Sequence, residues 1–210
     1  MPRIPLRFLA PALLAAAALI LGPPASRAGQ GDYSIRFASG AAIPVGSFGT
    51  DWKSGVPIGL TISYGSGKHT DVALDMSYRR LKPAIPSSEL FGVKDDNVHL
   101  GEWRIGARVR RELAGAGATL DPYVVAGVAM YPVRLVSEDS LGVLEVTSAK
   151  LGLNGGVGLD VRVSPEVALG LEGLYNGGQA AAKKIGYDFV PDVEVTLGLR
   201  WVPGGGSSED

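Results

Sequence analysis

The sequence contains no cysteine. This absence excludes a disulfide scaffold, a thiolate metal site, a cysteine nucleophile and an acylated N-terminal cysteine. Basic residues are not in excess either. The 20 lysines and arginines fall to 17 when Arg3, Arg7 and Arg27 of the N-terminal segment are set aside, and 21 acidic residues remain, which gives a net charge of −4. A mildly acidic chain without a basic patch is not expected to bind nucleic acid.

Histidine is nearly absent as well, since the chain has only His69 and His99. An imidazole base for catalysis would have to be one of these two. His69 falls in a predicted turn. Ser77 on the neighbouring strand could be imagined as a nucleophile for His99, but the spacing is not specific to a catalytic triad. Two histidines so placed also make a poor metal site. We therefore expect no catalytic residue, no metal and no cofactor.

Long apolar runs are lacking after residue 28. The one such run, Phe8 to Leu21, follows two arginines and precedes a small-residue site that ends at Ala28. This arrangement is typical of a cleaved secretory signal peptide, with cleavage after Ala28 or, alternatively, Ala25. A short membrane anchor is the other interpretation, but spanning helices need about 20 apolar residues. We predict a signal peptide over 1–28, one domain over 29–201 and a flexible tail over 202–210.

What the mature chain does contain is strict alternation of large apolar residues with small or charged ones. In the segment from Val193 to Trp201, two valines, two leucines and the tryptophan occupy every second position. A period of two predicts a β-strand with two different faces. The pattern recurs about eight times, in segments near the 9–11 residues of a membrane strand. The predicted strands are Tyr33–Ile43, Val56–Tyr64, Asp71–Arg80, His99–Leu113, Tyr123–Val133, Lys150–Val163, Glu166–Asn176 and Val193–Trp201, with a change of phase near Gly101 that indicates either a bulge or the strand start.

The predicted links between strands alternate in length. Short links follow the second, fourth and sixth strands, and longer polar links follow the first, third, fifth and seventh. Outer-membrane barrels show this asymmetry, with short periplasmic turns and longer extracellular loops. An acidic stretch in the second long link could hold Ca²⁺ or bridge lipopolysaccharide, although its composition favours a solvated loop. The long links are Pro44–Gly55, Leu81–Val98 (with Glu89, Asp95 and Asp96), Arg134–Ala149 and Gly177–Val190.

Interior volume decides which strand face points inward. The interior of an eight-stranded barrel has room only for modest side chains, and some thirty large apolar side chains would overfill it. The opposite face is rich in glycine, which weakens a strand that is exposed to water. We therefore predict that the apolar side chains face outward, towards lipid, and that the glycines face inward. The inward glycines are Gly59, Gly106, Gly152, Gly156, Gly158, Gly170 and Gly198.

The predicted inward face also carries charges of both signs. Charged groups removed from bulk water must be paired, so we expect an ion-pair lattice that fills the lumen and excludes a wide permanent pore. A gated ion or proton path through this lattice is the alternative. The predicted lumen charges are Arg36, Asp75, Arg79, Arg104, Arg108, Arg110, Asp160, Arg162, Glu172, Glu194 and Arg200.

Aromatic residues fall near strand ends or on the apolar face. Tyrosine and tryptophan are enriched at both interfaces of membrane barrels, although aromatics also favour strands in general. Combined with the export signal and the glycine-rich face, they favour a membrane barrel. These residues are Tyr33, Tyr64, Tyr78, Trp103, Tyr123, Tyr175 and Trp201.

Four segments resemble the outer-membrane β-barrel domain family, which includes the OmpA barrel, OmpX and OmpW-like proteins. They are Gly40–Gly49, the Pro-Tyr-x-x-x-Gly strand Asp121–Tyr131, Gly155–Asp160 and the final strand that ends at Trp201. The resemblance implies an all-β, eight-stranded, antiparallel, up-and-down transmembrane barrel in the bacterial outer membrane. Family members often end on an aromatic residue, whereas here a Gly/Ser-rich acidic tail follows Trp201.

The expected function is a structural or surface-interaction role in the outer membrane, without catalysis. The expected partners are outer-membrane lipid, lipopolysaccharide and, during insertion, the barrel-assembly machinery; we expect a monomer. Three alternatives remain: an OmpW-like narrow channel for small or hydrophobic solutes, a lipid-modifying outer-membrane enzyme, and a soluble periplasmic binder of the lipocalin type.

Overall fold

The computed structural model describes residues 32–67, 69–84, 98–114, 118–139, 142–178 and 190–203. Eight antiparallel strands form a closed barrel in which each strand pairs with its neighbours in the sequence, and the last strand pairs with the first. This is the predicted fold. The strands are β1 Tyr33–Pro44, β2 Ile58–Gly67, β3 Thr70–Leu81, β4 His99–Glu112, β5 Leu120–Asp139, β6 Gly142–Arg162, β7 Val167–Gly178 and β8 Val190–Trp201, with one short helix, α1, at Gly46–Asp51.

The barrel closes through a long β1–β8 ladder, which runs from Ile35↔Trp201 to Pro44↔Asp192. Closure leaves no free strand edge along this seam, so the backbone groups there are satisfied within the barrel. We call the end where β1 begins and β8 finishes the terminal end, and the opposite end the loop end. The links after β2, β4 and β6 therefore lie at the terminal end, and those after β1, β3, β5 and β7 at the loop end.

The β5–β6 hairpin differs from the prediction. The predicted long link from Arg134 to Ala149 is wrong, because β5 and β6 continue in register through this stretch as far as Asp139↔Gly142. The prediction of a loop rested on the more polar and irregular composition of this stretch. The stretch nevertheless keeps the β-branched and apolar composition that supports paired strands, so the hairpin extends past the ends of the other strands.

The alternation of side chains is that of a barrel turned inside out relative to a soluble one. The large apolar side chains lie on the outside, where Leu74, Leu151 and Leu197 expose 68%, 75% and 70% of their surface. Charged side chains of the same strands, such as Asp75, Asp160 and Glu194, lie inside and are buried. The predicted assignment of the two faces therefore agrees with the structure.

Two sets of inward glycines are required by close approach of large side chains. A Cβ on Gly158 would lie 2.7 Å from Cε2 of Tyr123, whose ring crosses the lumen at this point. A Cβ on Gly198 would lie 2.7 Å from Nε of Arg36, and one on Gly170 would lie 3.1 Å from its Nη1. The glycines thus make the space that the long interior side chains occupy.

The β1–β2 link folds over the loop-end mouth of the barrel. It contains α1, which begins at Gly46 with φ 65°. Its backbone is hydrogen-bonded to the barrel wall between Ala42 and Gly55 and between Val45 and Pro191. Phe48 and Trp52 point into the mouth. They pack with inward-facing residues of β3, β4 and β5 in an apolar cluster, the plug, formed by Phe48, Trp52, Leu81, Val98, Leu100 and Leu135.

The change of phase near Gly101 has its explanation in the plug. The β3–β4 register is continuous from Thr70↔Arg111 to Leu81↔Leu100, so no bulge is present there. Leu100 faces inward like Glu102 and Arg104, and it is apolar because it belongs to the plug rather than to the ion pairs.

Several predicted features lie outside the described residues. These are the signal peptide over 1–28, the acidic residues Glu89, Asp95 and Asp96, and the tail beyond residue 203. Among the described residues, no helix is long and apolar enough to cross a membrane.

Candidate functional site: the polar interior

The interior of the barrel holds three groups of ion pairs that follow one another along its axis. The mid-lumen lattice consists of Arg36, Arg104 and Arg108 with Asp75, Glu172 and Glu194. The loop-end triad consists of Arg79, Glu102 and Asp192. The terminal-end cluster consists of Arg110 and Arg200 with Asp71, Glu112, Asp121 and Asp160.

The mid-lumen lattice joins opposite walls of the barrel. Arg104 on β4 contacts Asp75 on β3, with Nε 2.8 Å from Oδ2, and reaches across the lumen to Glu194 on β8. Arg108, four residues further along β4, donates to Glu172 on β7 at 2.8 Å and to the hydroxyl of Thr61 at 2.9 Å. Three guanidinium groups face three carboxylates here, so the formal charge of the lattice is zero.

Tyr123 connects this lattice to the terminal end. Its hydroxyl accepts a hydrogen bond from Arg36 and donates one to Glu172 at 2.9 Å. The guanidinium carbon of Arg110 lies 3.8 Å from the centre of its ring, in cation–π geometry. The expectation that Tyr123 belongs to an interfacial aromatic girdle is therefore wrong, since it is 1% exposed and lies inside the barrel.

The terminal-end cluster contacts water at its edge. Arg200 lies 2.9 Å from Asp71 and 3.2 Å from Glu112, and these side chains are 11–16% exposed. Arg110 lies deeper and contacts Asp160 at 2.7 Å. Four carboxylates share two arginines in this cluster, so its formal charge is −2.

The loop-end triad is sealed between the mid-lumen lattice and the plug. Arg79 contacts Glu102 at 2.6 Å and Asp192 at 2.5 Å, and the two carboxylate side chains are 4% and 0% exposed. Leu81 and Leu100 of the plug occupy the next inward positions on the strands of Arg79 and Glu102, one pleat nearer the loop end.

The structure places ten of the eleven predicted lumen charges in these three groups. Arg162 differs: it is exposed at the terminal end of β6 and forms no ion pair within the described part of the chain. Five further carboxylates belong to these groups and were not among the predicted lumen charges. Glu102, Glu112 and Asp192 lie one pleat from the predicted Arg104, Arg110 and Glu194, so extending those three inward phases by two residues finds them. Asp71 lies two pleats from Asp75, and Asp121 lies on β5, which carries no predicted lumen charge. The additional carboxylates are Asp71, Glu102, Glu112, Asp121 and Asp192.

The residues considered for catalysis are not brought together. His69 lies in the β2–β3 turn at the terminal end, and His99 is the first residue of β4 at the loop end. Ser77 is buried, faces the lumen and pairs with Arg104 in the β3–β4 ladder. Arg104 is five residues after His99 on β4, so about 17 Å of strand separates His99 from the level of Ser77. Within the described residues, no group of three histidine or acidic side chains could hold a metal ion.

Comparison with known proteins places this fold among solved outer-membrane barrels. Neisserial surface protein A is 19% identical with a TM-score of 0.60, over 83% of this chain and 99% of that one. The N-terminal β-barrel domain of Pseudomonas aeruginosa OprF is 16% identical with a TM-score of 0.55, over 83% and 99%. The outer membrane protein OprG of Pseudomonas aeruginosa is 14% identical with a TM-score of 0.53, over 83% and 96%.

No family model matches the chain, and no curated protein matches it. The likeness is therefore one of architecture. It confirms the predicted fold: the chain is an eight-stranded barrel of the small outer-membrane type.

Proposed function

We propose that this chain is a protein of the bacterial outer membrane, with an outer surface solvated by lipid, a closed lumen and a structural or surface-contact role without catalysis. One observation carries the proposal: the ion-paired side chains of the strands are enclosed in the barrel and the large apolar side chains are exposed around the outside. In water such an exterior would be an aggregation hazard, whereas in lipid it is the favoured surface. This arrangement is the reverse of what a soluble binder of the lipocalin type needs.

The aromatic residues support membrane placement. Two aromatic pairs lie at different heights on the outside of the barrel. Tyr33 and Tyr64 lie near the terminal end with ring centres 5.1 Å apart, and Tyr78 and Trp103 lie towards the loop end with ring centres 4.9 Å apart. Tyrosine and tryptophan prefer the two interfaces of a bilayer. The exposed Arg80 lies just beyond Tyr78, where the apolar surface of β3 ends.

The closed lumen follows from the ion pairs and the plug. The arginines and carboxylates of the mid-lumen lattice neutralise each other across the interior, so paired side chains fill the lumen at this level. The surface left for interaction is then the loop end, where the long β5–β6 hairpin projects beyond the other strands.

The test is fractionation of cells that make the full chain, followed by gel electrophoresis with and without boiling in detergent. We expect an outer-membrane band whose mobility changes on heating, because a closed barrel resists detergent until it is heated. Single-channel recording in planar bilayers should then show no sustained conductance. A soluble periplasmic band without a heat shift would contradict membrane placement, and a steady open channel would contradict the closed lumen.

A conduit for small apolar molecules is the second candidate, and the plug favours it. Such a conduit needs an apolar entrance, and the loop-end mouth has one in Phe48, Trp52 and Leu100. Two features count against transit: the entrance is filled by its own side chains, and the charged triad lies beneath it. Uptake of a fluorescent apolar probe into vesicles that contain the protein would distinguish this candidate, which requires faster uptake than in empty vesicles.

A further inference from the structure

The described interior contains more carboxylates than arginines. Six arginines face nine carboxylates, and the surplus is not evenly distributed: the mid-lumen lattice is neutral, the terminal-end cluster has formal charge −2 and the loop-end triad has formal charge −1. Uncompensated charge in a water-excluded site is costly, so each surplus needs a counterion or a proton.

The two ends differ in how they can be neutralised. At the terminal end Asp71, Glu112 and Asp121 are 11–16% exposed, so cations from solution can approach them. At the loop end Glu102 and Asp192 are 4% and 0% exposed and the plug lies above them. Because solvent does not reach these two carboxylates among the described residues, the simplest species that can neutralise the triad is a proton.

Hydrogen bonding indicates which carboxyl holds the proton. Asp192 accepts three hydrogen bonds, two from Arg79 and one of 2.9 Å from Nδ2 of Asn176. Such a set of donors stabilises the ionised form. Glu102 accepts one, from Arg79, and its Oε2 is buried without a hydrogen-bond partner among the described residues. The ionised form of Glu102, with one unpaired oxygen beneath the apolar plug, is therefore less stable than the ionised form of Asp192. Protonation of the triad consequently costs less free energy at Glu102 than at Asp192.

We infer that Glu102 is a proton-binding site, occupied at neutral pH and sealed by the plug. The charged and titratable groups around it are Arg79 on β3, Asp192 and Glu194 on β8 and Tyr131 on β5, with Arg104 one pleat deeper on its own strand. Because a carboxyl that is open to water ionises near pH 4, the proton is retained only while the mouth is closed. Acidic conditions therefore favour the closed mouth, and rising pH favours its opening.

The experiment is infrared spectroscopy of the purified full chain in detergent micelles at neutral pH, which detects the carbonyl stretch of a protonated carboxyl. We expect a band that shifts in heavy water and disappears in Glu102→Gln. This variant should keep the urea midpoint of the unaltered protein, because an amide replaces a neutral carboxyl of the same shape. The matched control is Glu172→Gln, which neutralises a carboxylate held by Arg108 and Tyr123; it should lower the midpoint and leave the band in place.

A second pair of variants tests the role of the plug. Phe48→Ala opens the apolar cover, and the band should weaken at neutral pH as water reaches Glu102. Phe37→Ala removes the same side chain from the exposed outer face, where 61% of it is accessible, and should leave the band unchanged. If Phe48→Ala keeps the full band, the seal is not what retains the proton.

The inference is overturned if the unaltered protein shows no such band, or if Glu102→Gln lowers the urea midpoint as much as Glu172→Gln does. Pairing of Glu102 with a cation from outside the described side chains would give that result. Failure of Glu102→Gln to fold would also overturn it, because an isostere of a protonated carboxyl has no reason to destabilise the barrel.

Discussion

The inner and outer faces of the same strands are held by different physical forces. On β8 the inward positions carry Asp192, Glu194 and Arg200, each paired across the lumen, while the outward positions carry Val195, Leu197 and Leu199, which are 41–70% exposed. The inner face depends on specific partners and close fit. The outer face depends only on being apolar at the right depth, so substitutions should be tolerated very differently on the two faces.

The largest effect is expected from removing a central cation. Arg104→Leu leaves Asp75 and Glu194 buried without their main partner, and loss of one member of a buried ion pair costs about 3–5 kcal/mol. The free energy of unfolding, measured by urea titration in micelles, should fall by this amount. The matched control is Arg162→Leu on the exposed rim, which should change it by less than about 0.5 kcal/mol. Equal effects at the two positions would contradict the special role of the lattice.

A charge on the outer face is expected to have the next largest effect. Leu197→Arg places a guanidinium against lipid near the middle of the apolar surface, where it costs about 2–4 kcal/mol, and insertion into vesicles should be impaired. Val163→Arg, on the outer face at the terminal end, should cost only about 0–1 kcal/mol because it lies near the interface. Normal insertion of Leu197→Arg would show that this face does not contact lipid. Thr196→Arg, one residue away, tests crowding of the lumen instead.

The sequence predicts the strands and the direction of their two faces, but not the plug or the partners of the ion pairs. Alternation fixes which residues share a face, and limited interior volume fixes which face points inward, so the eight strands and ten of the lumen charges needed no structure. The plug could not be predicted, because Phe48 and Trp52 lie in a link without periodicity and their contacts with Leu100 and Leu135 depend on how that link folds back. Pairing partners also depend on barrel closure: Arg104 meets Glu194 only because β8 closes on β1.

Close fit of the inner face predicts an effect for one methyl group. Gly158→Ala places a Cβ into the ring of Tyr123 and should cost about 1–3 kcal/mol through overpacking. The control is Gly155→Ala on the same strand. A Cβ there would lie 3.6 Å from the nearest atom, the carbonyl oxygen of Val125, which is ordinary contact. Urea titration of the two variants compares the faces directly. A cost at Gly155 as large as that at Gly158 would mean that strand conformation, rather than the crowded interior, sets the requirement for glycine.

The smallest expected effect belongs to the aromatic pairs of the outer face. Tyr78 and Trp103 face each other across β3 and β4 with ring centres 4.9 Å apart, and such a pair contributes about 0.5–1.5 kcal/mol beyond its buried area. A double-mutant cycle with Tyr78→Leu and Trp103→Leu, measured in vesicles, should recover a coupling energy in this range. Leucine keeps the surface apolar, so the cycle isolates the ring contact from the general preference for lipid. A coupling energy as large as the fall in unfolding free energy expected for Arg104→Leu would contradict this difference between the faces, because it would show that the outer face also depends on specific partners.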